Sequence, residues 1–128
     1  MSLRSPLGRV LGAGSAKQGT QHWWVQRLTS VALVPLSVWF LVSLLTLPSF
    51  GHATVVAWMA QSPTALLLIL LVLIGTWHSQ LGVRVVVEDY VHGAGARTVS
   101  LVALTFAHGL LAAAGVVAVL RVALGAGS

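Results

Sequence analysis

The chain has 128 residues, of which 57% are hydrophobic and 7% charged. A water-soluble domain has about a quarter of its residues charged, so a soluble fold is excluded, and the lack of cysteine removes disulfides, thiolate metal sites and Fe–S ligation by this chain. The net charge of +5 is not a nucleic-acid footprint, because the basic residues are spread along the chain instead of gathered into one patch.

Residues 1–20, MSLRSPLGRVLGAGSAKQGT, have the glycine content and charge of a flexible tail. Nothing here resembles a cleavable signal peptide. From Gln21 the composition turns polar and aromatic together (QHWWVQRLTS), as suits a membrane interface. Residues 1–24 are therefore expected to form a cytoplasmic tail and interfacial segment. The first apolar run, 25–47, contains Pro35, where a kink is expected. A connection over 48–62 follows, bounded by Pro48 and Pro63, in which Trp58 and Met59 point to a short interfacial segment. The second run, 64–87, ends on Glu88-Asp89-Tyr90. HGAGAR makes a tight connection to the third run, 98–120, whose AHGLLAAAG stretch has the small residues that permit close helix contact.

Each run is close to the ~20 residues that cross a ~30 Å hydrocarbon core at 1.5 Å per residue. The expected fold is all-α: an integral membrane domain over residues 25–124 with three transmembrane helices. Three helices enclose too little interior for a large site, so the bundle is expected to be completed by a partner. Arg4, Arg9, Lys17 and Arg27 precede or open the first helix, and Arg84 and Arg97 flank the second connection. The first connection has no Lys or Arg, and only Arg121 dissents. The positive-inside rule then puts the N-terminus and second connection in the cytoplasm and the C-terminus on the far side.

Ionisable groups inside a membrane are costly and are functional candidates by default. His78 and His108 each lie about ten residues from the second connection, or ~15 Å deep. Gly75, His78, Gly82, Val85 and Asp89 fall on one helical stripe, and a glycine a turn before and a turn after His78 leaves a groove. A haem-ligating imidazole with room for a flat macrocycle is one reading; a histidine bonded to a neighbouring helix is the other. His108 reads first as a structural histidine, with a second ligand as the alternative. Asp89-Tyr90, where the second helix leaves the bilayer, reads as an interfacial anchor or as a phenol donating to a quinone carbonyl beside a carboxylate. Arg27 reads as a snorkelling arginine or as a bidentate partner for a carboxylate such as a haem propionate. His22, Trp23 and Trp24 read as an aromatic belt.

Two stretches carry a resemblance that covers nearly the whole chain. HWWVQRLTSVAL at the start of the first helix, with HSQLGVRVVVEDYVH closing the second, resembles the small hydrophobic anchor subunits of bacterial succinate dehydrogenase, respiratory complex II. The resemblance implies that His78 is an axial ligand of a haem b shared with a larger cytochrome b anchor. It also implies that Tyr90 contacts ubiquinone with Asp89 beside it, and that Arg27 lies near the haem propionates and the quinone. A flavoprotein subunit would oxidise succinate and an Fe–S subunit would pass the electrons to quinone, so this chain would hold no complete active site itself. The implied location is the bacterial inner membrane, with membrane lipid and the other three subunits as partners. His108 has no counterpart in the single-haem pattern, and His22 only loosely matches a family histidine. A fumarate reductase anchor, or a non-redox small membrane protein such as an assembly factor or transporter subunit, are the alternatives. A free-standing transporter is disfavoured by the lack of a repeat and of paired intramembrane charges.

Overall fold

The computed structural model describes residues 16–125, which form four helices in the order α1 (Ala16–Leu45), α2 (His52–Met59), α3 (Ser62–Tyr90) and α4 (Ala94–Ala123). The expected tail over residues 1–15, with Arg4 and Arg9, lies outside the described residues. Three helices are long and apolar enough to cross a membrane: Gly19–Leu45 within α1, with 27 residues, α3 with 29 and α4 with 30. The all-α, three-span fold is as the sequence predicts, and α2 is the short segment that Trp58 and Met59 indicated.

Five of the six ends of the spanning helices lie beyond the expected runs, and α1 stops two residues short of its expected end at 47. α1 starts at Ala16 and not near residue 25, so His22, Trp23 and Trp24 ride on the helix, and Arg27 lies about three turns in instead of one. α3 runs through the whole EDY triplet, and α4 begins at Ala94, leaving only residues 91–93 as the connection. An apolar run marks the thickness of the lipid, whereas a helix continues wherever its backbone bonds can be made. No proline stands between residues 16 and 34 or between 89 and 123 to stop it. Where proline does occur it marks the ends: α1 stops three residues before Pro48, and Pro63 sits in the first turn of α3, where its missing N–H breaks no helix bond. Pro35 lies within an unbroken α1.

α3 is the centre of the layout. α1 and α4 each pack along it but do not approach each other among the described residues, while α2 touches α3 and α4. The spans thus form an open row and not a closed three-helix bundle. The α3–α4 contact is the closer. A Cβ on Gly115 would stand 2.6 Å from Cγ1 of Val72, whose branched side chain has little freedom to yield. Here the small-residue stretch does what its composition promised.

The best-packed region lies at one end. Ala65 and Leu68 from the start of α3 and Val119 from the end of α4 are buried, with Trp39, Phe40, Trp58 and Met59 packed around them. Trp58 of α2 stacks on Trp39 of α1 at 6.2 Å between ring centroids. At the other end, toward Tyr90, no such cluster forms among the described residues. Along the row large apolar side chains stand uncovered, Val31, Phe106 and Leu110 among them, as suits helices that meet lipid or another chain.

Candidate functional site

The polar groups of the row sit along α3, and they divide by the neighbour they face. Toward α4, Ser79 Oγ lies 3.3 Å from His108 Nε2, and Gln80 Nε2 donates to Thr105 Oγ1 at 3.3 Å. His108 Nδ1 is 3.0 Å from the Leu104 carbonyl. That oxygen only accepts, so Nδ1 carries the proton. Both nitrogens of His108 therefore have partners inside the chain, Nε2 at the Ser79 hydroxyl of α3 and Nδ1 on its own helix.

Toward α1 the picture is reversed. His78 Nδ1 is 2.9 Å from Thr29 Oγ1, and Nε2 has no hydrogen-bond partner among the described residues. The ring borders an open cleft of about 350 Å³ lined by Trp23, Gln26, Arg27, Ser30 and His78. Arg27 stacks over the Trp23 ring at 5.2 Å and has no carboxylate partner among the described residues, where the sole ion pair is Arg84–Glu88 at 2.8 Å. A cation held on an aromatic face keeps its fork of donors presentable. So the two residues singled out for haem, His78 and Arg27, share one cleft, although 51 positions separate them in sequence.

The glycine groove is only half as expected. A Cβ on Gly82 would meet nothing within 4 Å, but one on Gly75 would meet Leu33 of α1 at 3.9 Å. At 3.9 Å that is ordinary van der Waals contact, so Gly75 lies beside α1 without close packing demanding a glycine, and the more open side of the stripe lies toward Gly82 and the Tyr90 end.

Asp89 and Tyr90 close α3 away from this cleft. Tyr90 is 79% exposed, and neither side chain has a partner among the described residues. Twelve residues of helix put Tyr90 ~18 Å from His78 along the axis, so the two do not grip one small ligand. His22 Nε2 is buried without a partner among the described residues. It borders a separate cleft of about 600 Å³ with Trp77, Leu81 and the Arg84–Glu88 pair. Sequence reasoning left Thr29 out. In one chain it reads as a threonine satisfying itself on its own helix, and only the pairing of α1 with α3 brings it to His78.

Iron in haem proteins takes a neutral imidazole nitrogen with a free lone pair, and the Arg27 fork suits a carboxylate, so the cleft fits a haem group. The cleft is open on one side, and the described residues hold no cluster of three or more His, Cys, Asp or Glu.

Comparison with known proteins places the chain in a family. Residues 1–118 match the family described as succinate dehydrogenase/fumarate reductase transmembrane subunit. The succinate dehydrogenase hydrophobic membrane anchor subunit of Paracoccus denitrificans is 31% identical over 122 residues, 95% of this chain and 94% of that protein. The protein of the same name from Rickettsia conorii is 34% identical over 89 residues, covering 69% of this chain and 71% of the relative. The succinate dehydrogenase membrane anchor subunit of Reclinomonas americana is 30% identical over 88 residues, covering 66% and 73%. No solved structure matches the chain significantly.

Proposed function

This chain belongs to the succinate dehydrogenase/fumarate reductase transmembrane subunit family, and on that premise we propose how it works as a membrane anchor of the enzyme. His78 ligates a haem b iron through Nε2, Arg27 pairs with a haem carboxylate, and Asp89 with Tyr90 borders the place where ubiquinone is reduced. The observation that carries this reading is the shared cleft: a free imidazole nitrogen and an unpaired guanidinium, on different helices, facing one open space.

The haem, when bound, supplies a one-electron store between the Fe–S subunit and the quinone. The chain's own residues do the rest. The exposed Tyr90 hydroxyl donates to a quinone carbonyl, which favours electron arrival because the reduced oxygen is the better acceptor. Asp89 stands beside it to pass protons from the water, two of which quinone reduction consumes. The packed Trp39–Trp58 end seals the opposite side of the row, so both groups open toward one aqueous face. The open row leaves α3 accessible to a larger cytochrome b anchor, which would complete the hold on the haem. The Fe–S and flavoprotein subunits sit on the cytoplasmic face, where the basic residues put Tyr90, with the C-terminus in the periplasm of a bacterial inner membrane.

Two measurements test this. Purified from native membranes in mild detergent, the chain is expected to bring with it a flavoprotein, an Fe–S protein and a second anchor. A haem b band should appear in the reduced-minus-oxidised spectrum, and the absence of both flavoprotein and haem would overturn the reading. The thiol of a His92→Cys variant should react with an impermeant thiol reagent only in inverted vesicles, and labelling in intact cells would reverse the orientation.

A further inference from the structure

The Thr29–His78 contact deserves a proton count, because its oxygen is crowded. Thr29 is 7% exposed, and its Oγ1 lies 3.0 Å from the Val25 carbonyl, 2.9 Å from the Gln26 carbonyl and 2.9 Å from His78 Nδ1. A hydroxyl has one proton and two lone pairs. Both carbonyls can only accept. Were the proton given to His78, two carbonyl oxygens would face hydroxyl lone pairs at 3.0 Å or less with nothing between them. The proton therefore goes to the carbonyls, and Oγ1 accepts from His78 Nδ1–H. This fixes the ring in the tautomer whose lone pair is on Nε2, the nitrogen left without a partner among the described residues.

We propose that Thr29 is the positioning residue for His78: it sets the tautomer, holds the ring's rotation and raises the basicity of the ligating nitrogen. The inference rests on the reading of His78 as an iron ligand. Metal-bound histidines commonly donate their other N–H to an acceptor, which orients the ring and strengthens the ligand. Here the acceptor is itself locked, since its own proton is committed to α1, so it cannot turn and become a competing donor. The same bond joins α1 to α3 at the register that puts Arg27, two residues before Thr29, along the cleft that His78 borders.

The effect has a sign. An accepted Nδ1–H makes the imidazole a stronger donor, which favours ferric over ferrous iron and lowers the reduction potential. Losing the acceptor raises it. The test uses the intact complex with its native partners, carrying Thr29→Val, Thr29→Ala or Thr29→Ser, and reads haem per complex, midpoint potential and the ferric EPR signal. The valine variant is isosteric; alanine carries the same test should valine hinder assembly. Both are expected to raise the potential, a tenfold loss of ferric preference corresponding to about 59 mV for one electron. Both should also shift the EPR g-values, which follow ring orientation, and lower haem occupancy. Serine, which keeps the hydroxyl, should restore all three. Wild-type potential and EPR in whichever apolar variant assembles would overturn the proposal. A wild-type complex without haem, or one whose haem survives His78→Ala, would instead sink the reading of His78. Haem that depends on His78 yet is indifferent to Thr29 sinks the Thr29 role alone.

Discussion

In the His78→Ala variant, haem b per complex is expected to fall by well over tenfold, measured from the reduced-minus-oxidised spectrum against flavin content. Loss of an outer-shell partner alone costs about 10- to 100-fold in metal affinity, and removing the ligand itself costs more. The chain's own fold should scarcely notice. Thr29 keeps its bonds to the Val25 and Gln26 carbonyls, so no buried hydroxyl is orphaned, and a polar contact between membrane helices contributes only about 0.6 kcal/mol on average. Weakened assembly of the complex would therefore report the loss of a group that bridges two chains, and not a collapse of the α1–α3 contact. Added imidazole should return part of the haem signal, because the alanine leaves a space of the right shape beside the cleft. His108→Ala is the matched control: it removes a histidine of similar depth whose nitrogens are both spent on α3 and α4, and haem content should stay near wild type. Unchanged haem in His78→Ala, or equal loss in both variants, would remove His78 as ligand.

That contrast also marks how far a sequence reaches. The existence and number of the spans follow from apolar length alone, since lipid sets a minimum that soluble folds do not share. Their ends do not follow, because backbone bonding carries α1, α3 and α4 beyond the apolar runs; the misplacement of Arg27 by two turns came from equating the two. His78 and Tyr90 are legible as rare polar groups in unlikely surroundings. His78 and His108 cannot be told apart by depth, because what separates them is which nitrogen is already occupied, and that depends on helix faces meeting across α3. Thr29 is the sharper case. Its back-bonding to its own helix is ordinary threonine behaviour, and it becomes informative only when a ring nitrogen arrives from 49 positions away. The groove around His78 reads as symmetric from two glycines, yet the Gly75 side lies within ordinary contact range of Leu33 on α1 while the Gly82 side is open. Pattern along one helix says which residues share a stripe; it does not say which part of the stripe a neighbour covers.

Tyr90→Phe is expected to leave assembly and haem content intact and to slow ubiquinone reduction by roughly tenfold to a hundredfold. A hydrogen bond to a group that gains charge is worth about 1.5–3 kcal/mol, and each 1.36 kcal/mol is a factor of ten in rate. Nothing in the chain's own structure should offset or amplify this, because the Tyr90 hydroxyl has no partner among the described residues and the ring is 79% exposed. The loss should fall on quinone turnover alone. Succinate oxidation followed with a soluble artificial acceptor bypasses the membrane site and should run at the wild-type rate, whereas turnover with a short-chain ubiquinone should not. Asp89→Asn separates donation from proton supply: it keeps Tyr90 and the local hydrogen-bonding shape but removes the carboxylate. Its defect should therefore carry a solvent deuterium effect larger than that of Tyr90→Phe. Were Tyr90 only an aromatic anchor at the interface, phenylalanine would lose little there, and ubiquinone turnover would match wild type. A tyrosine at a membrane surface serves either role by composition. The ratio of the two turnover rates is what tells a residue that touches the quinone from one that merely sits at its depth.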